Sequence, residues 1–253
     1  MKKIIYVFLL LMAPFAAFSQ DSNGYDKELG DAAYAESNFN DAIKIYEAVI
    51  AEQGGSLPLY YNLGNAYYRA NQPGKAILNY ERALLIDPSN ADVKFNLELA
   101  RSKTVDKNAL MSELFFVRWY RDFAAIMSAD AWSRVAILCF IILISCLALF
   151  IFSKKSKTKK IIFIFALLSV VSTIVANIIA ADRKEKMVLR ENAIVMEPSV
   201  TIRSTPSVNG TELFILHEGK KVKVKDDSMK DWKEIEIEDG NIGWIPASAI
   251  ERI

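Results

Sequence analysis

The pattern of hydrophobic and polar positions changes several times along the 253-residue chain. Between residues 25 and 103 it predicts five helices, near 25–37, 40–52, 58–70, 74–86 and 90–103. Residues 131–152 and 161–181 are almost continuously apolar, and after Asn192 short runs alternate apolar with charged side chains, as half-buried strands do. The sequence therefore predicts a multidomain membrane protein with an all-α part, a two-helix transmembrane hairpin and a small all-β part.

The helical part repeats itself every 34 residues. The first two copies share leucine, glycine, alanine and tyrosine positions: Leu29 with Leu63, Gly30 with Gly64, Tyr34 with Tyr68, Ala42 with Ala76 and Tyr46 with Tyr80. A third, partial copy includes Asn96 and Leu97. The period and the pattern resemble the tetratricopeptide repeat, a helix pair that stacks into a solenoid. We expect about two and a half repeats over residues 21–106, which is few for independent stability, so this part is expected to lean on the segment that follows.

In the repeat family that this part resembles, the first helix of each pair lines a concave groove that binds peptides. The corresponding face carries basic, aromatic and amide side chains: Lys27, Tyr61, Asn62, Asn65, Tyr68 and Arg69. Amides can pair with an extended peptide backbone and basic groups with an acidic one. An ordinary solvated face is the competing interpretation. Asp31, Asp92 and Asn96 depart from the clamp with which the family holds a terminal carboxylate.

Three apolar segments give the predicted topology. Residues 1–19 are typical of a signal peptide cleaved near Ser19, with an uncleaved anchor as the alternative. Residues 131–152 and 161–181 each match the length needed to cross a bilayer of about 30 Å. Residues 153–160 between them contain five lysines, and basic loops mark the cytoplasmic side. We therefore predict a bacterial inner-membrane protein with two spans and with N- and C-terminal domains that are both periplasmic.

Composition and charge argue against most kinds of chemistry. The chain has one histidine, two cysteines and a net charge of +1. The sequence contains no phosphate-binding loop, nucleophile motif or cluster of metal ligands, so we predict a non-enzymatic protein with no metal and no cofactor. The balanced charge gives no indication of a nucleic-acid partner.

Residues 107–130 form an aromatic connector. Phe116, Trp119, Tyr120 and Phe123 share one helical face. This predicts an amphipathic helix at the outer membrane–water boundary, where Trp and Tyr concentrate. A last repeat-like helix beneath the solenoid is the alternative. Small residues recur on one face of the second span, which favours packing between the two spans over docking onto another membrane protein.

Residues 192–253 predict a compact barrel of short strands near 193–196, 200–203, 212–216, 221–225, 233–238 and 243–246, with a tight hairpin at Asp239-Gly240. The order of Arg203, Gly219, Trp232 and Trp244 resembles a bacterial SH3 (SH3b) domain. Arg203, Trp232 and Trp244 are the predicted ligand surface, with the two tryptophans as an aromatic shelf. Completion of a small core is the alternative for the tryptophans.

The full order is export signal, repeats, aromatic connector, two spans and SH3-like barrel. This order resembles the Bacteroides aerotolerance operon (Bat) family over essentially the whole chain. The resemblance implies a scaffold in an envelope complex linked to oxidative or envelope stress, with membrane or periplasmic partners that carry von Willebrand A-type and repeat domains. A cell-wall sensor whose barrel binds a peptidoglycan peptide is the alternative.

Overall fold

The computed structural model describes residues 26–106 and 114–253. The predicted signal peptide, residues 1–19, and the first part of the connector, residues 107–113, lie outside the described residues. The described ranges contain a helical N-terminal domain, three further helices and a C-terminal β-domain of seven strands. The multidomain class that the sequence predicts is confirmed at this level.

The N-terminal domain consists of five helices: α1 (Lys27–Ala35), α2 (Phe39–Gln53), α3 (Leu57–Arg69), α4 (Pro73–Ile86) and α5 (Ala91–Ser102). Their bounds lie close to the predicted ones. Local chemistry explains their starts, since Pro73 suits the first turn of a helix and the Asn90 side chain caps α5 by accepting from the amide of Val93 at 3.0 Å. A Cβ on Gly64 of α3 would lie 2.6 Å from the Tyr80 ring of α4, so the two helices need glycine to approach this closely.

The next three helices are α6 (Phe115–Ala124), α7 (Ala129–Phe152) and α8 (Ser156–Leu189). The long helices α7 and α8 pack along each other. At one end α6 joins them through a small cluster that includes Ala124, Trp132 and Ile179, and the Trp132 indole donates to the carbonyl of Ala124 at 3.1 Å.

The turn between the long helices is shorter than the sequence suggests. Residues 156–160 of the predicted lysine-rich loop belong to the first turns of α8, so only residues 153–155 separate the helices. Lysine is a good helix former and continues the helix beyond the apolar stretch.

The β-domain is a single antiparallel sheet of strands β1 (Asn192–Val195), β2 (Ser199–Arg203), β3 (Glu212–His217), β4 (Lys221–Asp226), β5 (Trp232–Glu236), β6 (Ile242–Pro246) and β7 (Ile250–Arg252). The strand order is β3-β2-β6-β5-β4-β1-β7. Six strands match predicted ones, and β7 has no counterpart among them. Val222, Val224 and Ile235 are buried in its core, as their alternation with charged residues predicts.

The β-domain packs directly against the N-terminal domain. Ile194 of β1 and Ile253, after β7, are buried in the same apolar cluster as Ile77 of α4. Gly219 has a φ of +86°, and a Cβ there would lie 2.8 Å from the Ile77 side chain. Both the backbone conformation and the close approach therefore favour glycine at this position. The incomplete repeat array is thus supported by the β-domain, a contact that the sequence does not indicate.

Candidate protein-binding site

The first helices of the repeats are joined by hydrogen bonds that recur with the repeat. Asp31 on α1 accepts from the Tyr46 hydroxyl at 2.6 Å and from the Asn62 amide at 2.8 Å, and it pairs with Lys27 one turn earlier. Burial raises the pKa of Asp31, but the Lys27 ammonium and the two neutral donors outweigh burial and hold that pKa below its usual value. Asp31 is therefore an ionised acceptor that fixes Lys27 and Asn62 in place.

The same arrangement recurs 34 residues along the chain. Asn65 on α3 accepts from the Tyr80 hydroxyl at 2.7 Å and from the Asn96 amide at 2.8 Å. Asn96 also donates to the Tyr61 hydroxyl at 3.1 Å. Burial raises the pKa of Tyr80 well above its usual value, so its hydroxyl stays protonated and can donate. Tyr61 and Asn65, which the sequence singles out as peptide contacts, are therefore already partnered by neighbouring helices.

Tyr68 and Arg69 lie at the carboxyl end of α3. The Lys103 ammonium sits 3.9 Å from the centroid of the Tyr68 ring, and the Arg69 guanidinium sits 4.7 Å from that of Phe39, both within the range of cation–π attraction. Arg69 is exposed. A cavity of about 140 Å³ lies between the first two repeats, lined by Asp31, Tyr34, Tyr46, Asn62 and Asn65. All six predicted groove residues thus lie on α1 and α3, and Arg69 is the most accessible of them.

The structure places the three residues of the predicted ligand surface, Arg203, Trp232 and Trp244, on strands β2, β5 and β6. The Arg203 guanidinium donates to the carbonyl of Gly210 at 2.8 Å and pairs with Glu212 at 3.3 Å, which holds the β2–β3 turn. Trp232 and Trp244 are half-buried on adjacent strands β5 and β6. Neither belongs to the apolar core cluster of the β-domain.

The junction between the domains contains a charged contact that sequence reasoning missed. Glu81 of α4 is buried and pairs with Arg101 of α5 and with Lys221 of β4, the latter at 2.7 Å. Burial alone would raise the pKa of Glu81, but Lys221 and Arg101 outweigh it and hold the pKa below its usual range. No signal in the sequence connects Glu81 with a lysine 140 positions away, because strand pairing and domain docking decide that contact.

Two further residue pairs, Gly74 with Glu218 and Asp106 with His217, also connect the domains. The amide of Gly74, in the first turn of α4, donates to the Glu218 carboxylate at 3.0 Å, which satisfies one of the free amides at a helix N-terminus. Asp106, after α5, accepts from the backbone amide of His217 at 2.7 Å and contacts the His217 ring at 2.8 Å. The single histidine of the chain therefore takes part in domain docking.

Comparison with known families supports the repeat assignment. The model of the tetratricopeptide repeat matches residues 58–90, which cover α4 and all of α3 except Leu57. Comparison with the curated proteins gives no match to this chain. The N-terminal domain thus has tetratricopeptide-repeat character. Tetratricopeptide repeats are protein-interaction modules that are generally non-enzymatic.

The described part of the chain includes the two apolar segments that the sequence predicts to span a membrane. Two helices, Ala129–Phe152 and Ser156–Leu189, are long and apolar enough to cross a membrane, by length and composition only. Among residues 26–106 and 114–253, no group of three or more His, Cys, Asp or Glu side chains is arranged to hold a metal ion.

Proposed function

We propose that the protein is a non-enzymatic scaffold of the bacterial inner membrane, with repeat and SH3-like modules that both face the periplasm. The proposal follows the resemblance to BatE of the Bat family and assigns the protein to an aerotolerance or envelope-stress complex. Its partners are membrane or periplasmic proteins with von Willebrand A-type or repeat domains. The observation that carries the proposal is the repeat domain, whose residues 58–90 match an interaction module and which is attached to two apolar helices.

The placement of charge supports the orientation. The lysines of residues 154–160 lie in the turn between α7 and α8 and in the first turns of α8, and basic residues favour the cytoplasmic side. The N-terminal domain precedes α7 and the β-domain follows α8, so both are attached at the other end of the hairpin. In this orientation the exposed aromatic side chains of α6, such as Phe115 and Trp119, face the outer membrane–water boundary, where such residues concentrate.

The groove should be tested at its accessible end. Tyr68→Ala with Arg69→Glu is expected to reduce recovery of a co-expressed von Willebrand A-type partner from solubilised membranes by roughly tenfold, since a contact residue of this kind contributes more than about 1 kcal/mol. The matched control is Lys44→Glu, a charge reversal on an exposed residue of α2. The pair Tyr61→Ala and Asn65→Ala is less suitable because it also removes hydrogen-bond partners of Tyr80 and Asn96.

Equal recovery of the partner with the groove variants and with the control would exclude the groove as the partner-binding surface.

A cell-wall sensor is the second candidate function, favoured by the half-buried tryptophans that do not belong to the apolar core of the β-domain. Retention of the full chain on peptidoglycan sacculi, lost in Trp232→Ala with Trp244→Ala and seen without any protein partner, would support the sensor instead.

A further inference from the structure

The last helix of the repeat array, α5, has two different faces. One face is buried against α3 and α4 through Val93, Leu97 and Ala100. The opposite stripe recurs at three- and four-residue steps and is exposed: Asp92, Phe95, Leu99 and Ser102. At its centre Phe95 is 69% exposed and Leu99 is 41% exposed. An aromatic and an aliphatic side chain one turn apart on the outside of a helix form a local apolar patch.

The 34-residue period shows what covers this stripe in the preceding repeat. Phe95 and Leu99 correspond to Tyr61 and Asn65 on α3. There, Asn96 of α5 contacts both, at 3.1 Å and 2.8 Å. This stripe of a first helix is therefore the surface on which the next first helix packs. Within residues 26–106 and 114–253, no further helix of the array follows α5 to cover Phe95 and Leu99, and the next described helix, α6, packs beside α7 and α8.

We infer that the Phe95–Leu99 stripe is a docking surface for an amphipathic helix of a protein partner, which would extend the array by one helix. The α3–α5 interface defines the position and the direction of that helix. In that interface a polar acceptor, Asn65, meets a polar donor, Asn96. Phe95 and Leu99 are apolar instead, so the partner helix presents apolar side chains at i, i+3 or i+4 spacing. This inference rests on the proposed scaffold function and gives it a second contact surface, separate from the groove.

The repeat register also argues against a second copy of this chain as the occupant. If another copy stacked its first helix on α5, the residue opposite the stripe would be Glu28, which lies 34 positions before Asn62. A carboxylate placed against Phe95 and Leu99 would lose hydration without gaining a partner. The occupant must therefore carry an apolar residue at this position.

The test uses the full-length chain in native membranes with a photo-crosslinking benzoylphenylalanine at position 95, where the natural residue is also aromatic. The matched control carries the same group at Lys94, an exposed neighbour on another side of α5. We expect an adduct at position 95 at least tenfold stronger than at position 94, mapped by mass spectrometry to a helical partner segment with apolar i, i+3 or i+4 spacing. Adding Leu99→Asp should abolish the adduct while the helical circular dichroism of the purified protein stays unchanged.

Three results would overturn the inference: an adduct within residues 107–113 of the same chain, an adduct to a second copy, or no adduct above that of the control. A third benzoylphenylalanine probe at position 68, in the groove, separates failure of the docking stripe from failure of the scaffold proposal. An adduct at position 68 without one at position 95 rejects the docking stripe and leaves the groove intact. If neither position gives a partner adduct, both proposals fail.

Discussion

Glu81 shows how strongly a single buried side chain can join two domains. Its side chain is 8% exposed and lies between Arg101 of the repeats and Lys221 of the β-domain. Removing one partner of a buried ionic cluster leaves the other charges without compensation. Because Arg101 and Lys221 keep part of their exposure, we expect Glu81→Gln to lower the free energy of unfolding at pH 7 by about 2–3 kcal/mol, less than for a fully buried pair. Denaturant unfolding in detergent measures this difference.

The pH dependence of that difference is a second readout of the same variant. The folded-state pKa of Glu81 lies below the ordinary value of 4.5. The stability that it contributes is therefore complete above pH 4.5 and is lost as the pH falls through the lowered pKa. The gap between the natural protein and Glu81→Gln should close on acidification. The control is Glu98→Ala, which removes the exposed partner of Arg101 and should cost less than about 0.5 kcal/mol. An equal decrease in the free energy of unfolding in both variants would contradict the role of Glu81 in joining the two domains.

Among the secondary-structure elements, those whose pattern is local were predictable from the sequence. The 34-residue period reports directly on α1 to α5, because each helix repeats the same small and aromatic positions. The strand β7 was missed since residues 247–253 show no alternation, and its pairing with β1 depends on the finished sheet. Tyr61 and Asn65 are predicted as groove residues from their place on a first helix, but their contact with Asn96 is not predicted, because it depends on how the repeats stack.

The segment after β7 gives a test of how the β-domain supports the repeats. Ile253 is 2% exposed and lies in the apolar cluster of the N-terminal domain. Ile253→Ala should destabilise the protein by about 2–4 kcal/mol, as is usual for a buried isoleucine. The loss should appear as faster hydrogen exchange in α4, since Ile77 of that helix belongs to the same cluster. The control is Ile215→Ala on β3, a residue that is more than half exposed. Faster exchange confined to the β-domain would show that the repeats do not depend on this contact.

For the whole molecule, the length of α8 is the feature that connects the proposed membrane hairpin with the β-domain. Its 34 residues span about 51 Å at 1.5 Å per residue, whereas a hydrocarbon core is about 30 Å thick. The helix therefore continues past the apolar stretch through residues 182–189, directly before β1. Since α4 contacts both α8 and β1, the repeats, the β-domain and the end of the hairpin meet at one place.

The proposed two-span topology places the N-terminal domain and the β-domain on the same side of the membrane, which single-cysteine labelling can check. In a background with Cys139→Ala and Cys146→Ala, an impermeant maleimide added to intact spheroplasts should label Asn209→Cys in the β-domain and leave Lys157→Cys, at the start of α8, unlabelled. Both sites are exposed, so permeabilised cells serve as the control and should show equal labelling. The reverse pattern in intact spheroplasts would place the lysine-rich turn outside the cell, and the soluble domains could then bind no periplasmic partner.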